Sequence, residues 1–350
     1  KYAVTVAGAH GKTSPTSLVA SVLSHGGLDP TVVVGGKLKV SSSNAVLGRG
    51  RYIVAEADES DGEFVKLPST IAVITTIDLE HLDHYADMDA IKSAFIAYAN
   101  KVPFYGSVIL CLDDPNIRSI MPKVRRRKVT YGIDENGDIK GRVKSRKEDK
   151  TVFEIEAMGR KLGETYITMP GDHYVRNALA AVAVGMELEV PFDLVKQGLE
   201  EFQGVGRRFE IKDRRAGITI VDDYAHHPTE IAATMNAALT SFGGRVIVLF
   251  QPHRYTRTQA MADQFGECFR GAEKVFVADI YAAGEDPIPG VTSQLIIDAI
   301  RDAGIPADPA PTFEKMVEET MKILRNGDIV ITMGAGDIHR AGRMLAERLG

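Results

Sequence analysis

The sequence predicts an α/β protein of two domains, residues 1–206 and 207–350, each with an open, mostly parallel sheet, the second Rossmann-like. Three observations carry this expectation. Short apolar runs alternate with helical patterns along most of the chain. The alternation breaks at Gln203-Gly204-Val205-Gly206 and then starts afresh. Polar clusters follow the apolar runs, where open parallel sheets place their ligand-binding loops.

In the first series, strands are expected at Ala3–Ala7, Thr31–Val34, Tyr52–Glu56, Thr70–Thr75 and Ser107–Cys111. Helical patterns fall between them, notably Thr16–Ser24 and Met88–Asn100. From Lys128 to Thr168 the sequence turns polar and β-rich, which predicts a small antiparallel elaboration with Glu135-Asn136-Gly137-Asp138 as a hairpin turn. Helix returns over Val175–Met186 and Pro191–Phe202. In the second series the expected strands are Ile218–Val221, Val246–Phe250, Lys274–Ala278 and Asp328–Thr332.

Composition narrows the function classes. With 350 residues, 44% hydrophobic and 25% charged, the chain reads as a soluble globular protein. A net charge of −5 and a pI near 6.0 argue against nucleic acid as a partner. Lys123 to Lys128 is the one basic run and reads as a solvated surface segment. No apolar stretch is long enough to span a bilayer, so no membrane partner is expected. Cys111 and Cys268 lack metal or redox spacing, which predicts two buried, inert thiols and a cytoplasmic setting.

Gly8-Ala9-His10-Gly11-Lys12-Thr13 follows the first strand and opens a helix, the order of parts in a phosphate-binding loop. Glycines let backbone N–H groups face an anion, and the helix N-terminus and Lys12 add positive charge. The Thr13 hydroxyl can ligate Mg²⁺. Glu56-Ala57-Asp58-Glu59-Ser60-Asp61 packs four carboxylates after a strand, which a cation would relieve. An acidic solvated loop is the alternative. Asp78-Leu79-Glu80-His81-Leu82-Asp83-His84 could cap a helix, relay protons or bind a second metal.

The second half carries Asp222-Asp223-Tyr224-Ala225-His226-His227-Pro228 and Gln251-Pro252-His253-Arg254-Tyr255-Thr256-Arg257. Arg254 and Arg257, three apart, are expected on one face of a helical turn, offering forked donors to a carboxylate or phosphate. Gly334-Ala335-Gly336 is a weak turn signal and receives no chemistry here. Five polar clusters spread over two domains suggest a cleft between them. Neither Ser17 nor the cysteines show a nucleophile signature, so covalent protein catalysis is not expected.

GAHGKT, EADESD, DLEHLDH, PGDHYVRNALAA, GVGRRFE, DDYAHHPTEI and QPHRYTRT together resemble the Mur ligase family over essentially the whole chain. The resemblance implies a central P-loop ATPase domain, then a Rossmann-like ligase domain, and an ATP-dependent amide ligase with Mg²⁺. A substrate carboxylate takes the γ-phosphate of ATP and an amino acid displaces it. The last two motifs most resemble the branch joining L-alanine to UDP-N-acetylmuramate in cell-wall precursor synthesis. A sister ligase, acting on murein peptides or like folylpolyglutamate synthase, and a catalytically silent ATP-binding fragment are the alternatives.

By the same resemblance, Gly8, His10, Gly11, Lys12 and Thr13 hold the nucleotide phosphates, with Thr13 and Glu56 on one Mg²⁺ and His81 on a second. Glu59 is the runner-up for the Glu56 role. His173 and Asn177 contact the adenine side, Arg208 the phosphates and Asp223 the ribose. Ser43 and Asn44 lie in a substrate loop, and Tyr224, His226, Arg254 and Arg257 hold the muramyl carboxylate and the alanine. Lys12, Glu56, His81, Arg208 and His226 are the implied catalytic set, in a monomer or weak homo-oligomer. The sequence departs from the family pattern at Ala9, at Ser14-Pro15, and at Thr76 and Glu80, which stand where Asn and Asp are usual. The family also begins with a UDP-gripping domain of roughly 100 residues. Without it, ATP–Mg²⁺ binding is expected to survive and affinity for UDP-N-acetylmuramate to fall.

Overall fold

The computed structural model describes residues 1–35, 44–81 and 84–350. The chain divides into two compact units, Lys1–Gly206 and Arg207–Gly350.

The first unit runs β1 (Tyr2–Ala7), α1 (Thr13–His25), β2 (Thr31–Val33), β3 (Ala45–Val46), β4 (Tyr52–Ala57), β5 (Ile71–Ile74), α2 (Met88–Lys101), β6 (Ser107–Cys111) and α3 (Pro115–Ile120). It continues with β7 (Lys128–Gly132), β8 (Ile139–Lys147), β9 (Lys150–Ala157), β10 (Arg160–Ile167), α4 (Asp172–Glu187) and α5 (Phe192–Glu200). The strands form one sheet in the order β10-β9-β8-β7-β6-β5-β1-β4-β2-β3. From β7 to β2 neighbouring strands are parallel. Parallel strands are covered on both faces, and Ile71–Ile74 and Val108–Leu110 are accordingly almost fully buried. Helix α1 packs against α4 and α5, placing the start of α1 over the carboxyl end of β1.

The segment from Lys128 to Thr168 departs from expectation. Strand β7 pairs parallel with β6 and belongs to the main sheet, and only β8, β9 and β10 form an antiparallel ribbon. Residues 135–138 make no hairpin turn, because β7 and β8 meet in parallel at Tyr131↔Ile139 and Gly132↔Lys140. Asp138 is instead drawn back onto β7, its carboxylate accepting from the Thr130 N–H at 2.9 Å and hydroxyl at 2.8 Å. Asp113, after β6, secures the junction. Its carboxylate accepts from the N–H groups of Ile133, Asp134 and Glu135 at 2.9, 3.1 and 3.0 Å and from Arg176 Nε on α4 at 2.8 Å. Burial works to raise the Asp113 pKa, but these donors outweigh it and hold the carboxyl below its usual range.

The second unit comprises β11 (Glu210–Arg215), β12 (Ile218–Asp223), α6 (Pro228–Ser241), β13 (Val246–Phe250), α7 (Tyr255–Met261), α8 (Phe265–Cys268) and β14 (Ala272–Val277). It ends with α9 (Gln294–Asp302), β15 (Ala307–Pro309), α10 (Phe313–Ile323), β16 (Ile329–Met333) and α11 (His339–Arg348). Strand order is β11-β12-β16-β13-β14-β15, parallel except for β11. One core packs Ile220, Ile247, Leu249 and Val330 of the sheet against Met316 and Leu345 of the covering helices. The latest strand in sequence, β16, is inserted between β12 and β13. No described helix is long and apolar enough to cross a membrane. Cys111 and Cys268 are both free and buried, and burial pushes both thiols up, Cys111 to about 11.

Candidate active site

In the first unit, three of the predicted clusters follow β1, β4 and β5, which lie side by side with β1 in the middle. Ala7 is in register with Ala57 on one side and Ile74 on the other, so the following loops emerge together. The first is strongly constrained. Gly8 has φ +154, and a Cβ there would lie 2.1 Å from Thr75 Oγ1. Gly11 has φ +64, turning the chain into α1. Ala9 N–H donates to the Thr76 carbonyl at 3.1 Å and His10 N–H to Thr76 Oγ1 at 3.2 Å. Thr76, at the position where the family usually has Asn, thus ties the phosphate loop to the end of β5.

Lys12 reaches across to the loop after β4. Its Nζ lies 2.8 Å from both oxygens of Glu59 and 3.6 Å from Asp58 Oδ1. Burial alone would lower the Lys12 pKa, but Glu59, then Asp58 and Glu80, outweigh it and raise the value. Burial likewise works to raise Asp58, and Lys12 and the Ser60 N–H overcome it. Glu59 is 2% exposed, its Oε1 is 3.3 Å from His81 Nε2, and its carbonyl accepts from the Tyr85 hydroxyl at 2.7 Å. Burial and the nearby carboxylates push Tyr85 up to about 12, so it stays a donor.

Asp58, Glu59 and His81 each present a ligand atom within 4.8 Å of the others. Carboxylate oxygens suit Mg²⁺, and two acidic groups against one lysine leave excess negative charge. The donor set therefore fits a divalent cation. Glu56 is the other carboxylate left open by spacing. It lies in β4 beside Val6, its Oε2 3.0 Å from where a Cβ on Gly35 would be.

His10 is held between acids, Nε2 2.8 Å from Asp78 Oδ2 and Nδ1 3.4 Å from Glu80 Oε2. Glu80, one methylene longer than the family's usual Asp, thus reaches this histidine. His173 and Asn177 sit half-buried one turn apart on α4, with His173 stacked 4.1 Å from the Tyr174 ring. Asn44 is exposed, its carbonyl accepting from Val34 N–H at 2.9 Å, while Ser43 lies outside the described residues.

The second unit assembles its own cluster around Tyr224 and His226. Arg207 and Arg208 both approach the Tyr224 ring, each 5.1 Å from its centroid. His226 Nδ1 lies 3.0 Å from the Tyr224 carbonyl and 3.2 Å from Glu230 Oε2. Bonding to a carbonyl fixes Nδ1 as the protonated nitrogen and leaves Nε2 as an acceptor. Burial holds His226 down to about 3, with Arg257 and His253 adding to it against Glu230. His253 is likewise lowered to about 4 by burial, Arg257 and Arg254, and it stacks on Tyr281 at 5.6 Å and 10°. Arg257 Nη1 is 3.3 Å from His253 Nδ1.

One expectation changes here. Arg254 does not share a helical face with Arg257. It precedes α7 with φ +73, its N–H donating to the Tyr281 carbonyl at 2.9 Å, because the chain must turn sharply out of β13 before the helix begins. Asp223, implied to meet a ribose, is 4% exposed and accepts from the N–H groups of Phe209 at 2.7 Å and Ala225 at 2.8 Å. Burial pushes its carboxyl up to about 6, against the pull of Arg208.

Three features escaped the sequence reading. Glu230 caps α6 with His227, accepting from the N–H of His226 at 3.1 Å, and its other oxygen is 3.8 Å from Arg208. A Glu three residues after a capping residue was a legible signal. Tyr281 comes from a distant loop and had none. Gly334 to Gly336 follow β16 and so lie between the two clusters, their carbonyls accepting from Arg207 at 2.7 and 2.9 Å.

A phosphate loop whose lysine is paired with a carboxylate and histidine cluster, in a chain that also carries a second open-sheet unit, marks a nucleotide-dependent enzyme. Residues 6–185 match the Mur ligase middle domain and residues 207–336 the Mur ligase glutamate ligase domain, so the chain belongs to the Mur ligase family. A relative from Syntrophotalea carbinolica, named UDP-N-acetylmuramate–L-alanine ligase, is 49% identical over 350 residues, all of this chain and 76% of its own. One of the same name from Sorangium cellulosum is 50% identical over 357 residues, covering 75% of that protein. The solved UDP-N-acetylmuramate–alanine ligase of Thermotoga maritima superposes with a TM-score of 0.81 at 28% identity, over 99% of this chain and 75% of that one.

Proposed function

We propose that the chain is an ATP-dependent ligase joining L-alanine to the lactyl carboxylate of UDP-N-acetylmuramate, a step in peptidoglycan precursor synthesis. The reading rests on the convergence of Lys12, Glu59 and His81 at the ends of three adjacent parallel strands. The relatives named above supply the substrates.

In this reading residues 1–206 bind the nucleotide. Backbone N–H groups of Gly11, Lys12 and Thr13, at the start of α1, face the phosphates, and Lys12 exchanges part of its contact with Glu59 for phosphate oxygens. His10 lines the loop, and His173 and Asn177 contact the base. Thr13, Glu56 and His81 would hold Mg²⁺, with Glu59 the runner-up for the Glu56 role, and the ion when bound would neutralise charge on the phosphates. The substrate carboxylate attacks the γ-phosphorus, ADP leaves, and the acyl phosphate so formed is attacked by the amine of L-alanine, releasing phosphate. The protein contributes position and charge rather than a nucleophile.

Residues 207–350 hold the acceptor. His226, kept neutral, offers Nε2 to a donor on the amine, while Arg257 and Arg254 suit the alanine carboxylate. Arg208, half-buried against Tyr224, supplies charge toward phosphate, and Asn44 belongs to the substrate loop.

The test is phosphate release from ATP–Mg²⁺ at high UDP-N-acetylmuramate, with and without L-alanine, using Lys12→Ala as control. Release that needs both substrates and disappears in the variant supports the ligase. ATP binding without alanine-dependent release would replace it with a silent nucleotide-binding protein, and release with another amino acid would point to a sister ligase.

A further inference from the structure

Three consecutive residues beyond β5 alternate in what they hold. Thr76 takes two donors from the phosphate loop, the Ala9 N–H on its carbonyl at 3.1 Å and the His10 N–H on its Oγ1 at 3.2 Å. Asp78 Oδ2 lies 2.8 Å from His10 Nε2. Ile77, between them and 2% exposed, is held from elsewhere. Its N–H donates to Asp114 Oδ2 at 3.0 Å, and its carbonyl accepts from Asn116 Nδ2 at 2.8 Å. Both backbone polar groups of this buried residue, which must find partners, are thus taken by side chains of a neighbouring connection.

That connection follows β6. Asp114 is the N-cap of α3, its Oδ1 accepting from the Ile117 N–H at 2.8 Å. A serine would cap the helix equally well. Burial raises the Asp114 pKa, and Asp78 adds to the rise, against the N–H donors of Ile117, Ile77 and Asn116. A carboxylate kept there at that cost is accounted for by its second oxygen, the one that reaches Ile77. The residue before it, Asp113, serves the turn after β7 and Arg176. Strand β6 lies between β5 and β7 in the sheet. Of the two adjacent carboxylates at its end, one therefore braces each neighbour.

We propose that Asp114 and Asn116 are positioning residues for nucleotide binding. By fixing Ile77 they keep Thr76 and Asp78 against Ala9 and His10, and so set the phosphate loop before ATP arrives. The inference rests on residues 1–206 binding the nucleotide, as read above. Ala9 and His10 are the two residues between Gly8 and Gly11, both at positive φ, where the backbone has most freedom to lose. Freedom removed in advance is not lost again on binding. The brace runs across the sheet, from the end of β6 through the end of β5 to the loop after β1, and neither side chain needs to touch the ligand.

Two variants separate this role from a general contribution to folding. Asp114→Ser keeps a cap on α3 but is too short to reach Ile77, and Asn116→Ala removes the other tie. Isothermal titration with ADP–Mg²⁺, which needs no turnover, should show each variant binding roughly tenfold more weakly. Hydrogen exchange read by mass spectrometry should quicken over residues 4–13, which contain the Ala9 and His10 amides, and stay unchanged over β16. In the ligase assay the KM for ATP should rise and that for L-alanine hold. Asp87→Ala, which strips the α2 cap from the Ala90 N–H, is the control: it should lower the urea midpoint and leave ADP affinity intact. Variants that bind ADP–Mg²⁺ as the wild type does, with unchanged exchange, overturn this inference alone. A loss of affinity matched by Asp87→Ala also overturns it, as an effect of stability. A wild-type chain that binds no ADP–Mg²⁺ overturns the nucleotide reading and this inference with it.

Discussion

The two clusters, one in each unit, are organised by opposite electrostatics. Around Lys12 the groups are charged and matched, with burial overcome by Glu59 and Asp58. Around His226 burial prevails, leaving His226 and His253 neutral and raising Asp223 to about 6. The difference suits what each cluster is proposed to bind. A triphosphate with a metal brings its own charges and can trade partners with an ion pair. An amine that has to act as a nucleophile is better met by an uncharged acceptor.

The largest test of this contrast is Lys12→Ala. Ligase turnover should fall by about 10²–10³-fold or more, and the chain should lose about 3 kcal/mol because buried Glu59 loses its lysine partner. Adding Glu59→Gln should recover much of the urea midpoint and none of the turnover. An unchanged midpoint in the single variant would break the idea that the pair holds this half together.

Acidification should separate the halves next. For His226 and His253 the folded pKa values, about 3 and about 4, lie below the ordinary histidine value of 6.5. Their contribution is therefore present above pH 6.5 and lost as the pH falls toward 4 and 3. Asp223 runs the other way: raised from 3.8 to about 6, it stabilises most below 3.8 and its contribution fades as the pH rises through 6. Urea unfolding between pH 7 and 4 should show stability falling on acidification. His226→Gln with His253→Gln should flatten that profile, and Asp223→Asn should steepen it.

Smaller effects sharpen the comparison within the second half. Glu230→Ala removes the α6 cap at about 1 kcal/mol and frees His226 and Arg208, so the KM for L-alanine should rise roughly tenfold while ATP affinity holds. Isothermal titration with an ATP analogue and initial-rate kinetics would separate the two. Tyr281→Leu should cost about 0.5–1 kcal/mol, read as a shift in Tm, with a change of a few-fold in the alanine KM.

Much of this was legible in the chain because local pattern and tertiary placement agree. Apolar runs at Ser107–Cys111 and Val246–Phe250 are strands with those same limits. Clusters after β1, β4 and β5 meet because those strands are neighbours, as alternating βα units tend to be. The failures share one cause, that register and strand insertion are long-range. Asn136-Gly137 reads as a hairpin locally, yet Asp138 returns to β7. Gly334–Gly336 looks inert until β16 is placed between β12 and β13. Tyr281 meets His253 only because β13 and β14 are adjacent.

Asp113 is one of several ties between the antiparallel ribbon and the rest of the unit, beside the β7–β8 pairing and the packing of α4 on β8 and α5 on β10. One carboxylate gathers the turn after β7 and the first helical turns of α4, and β8, β9 and β10 continue the sheet away from β1, β4 and β5. A sheet assembled this way can evolve in modules. Hairpins beyond the rivet can lengthen, shorten or change sequence while the phosphate loop keeps its geometry, and among descendants of this fold length variation should gather in β8–β10 and stop at Asp113.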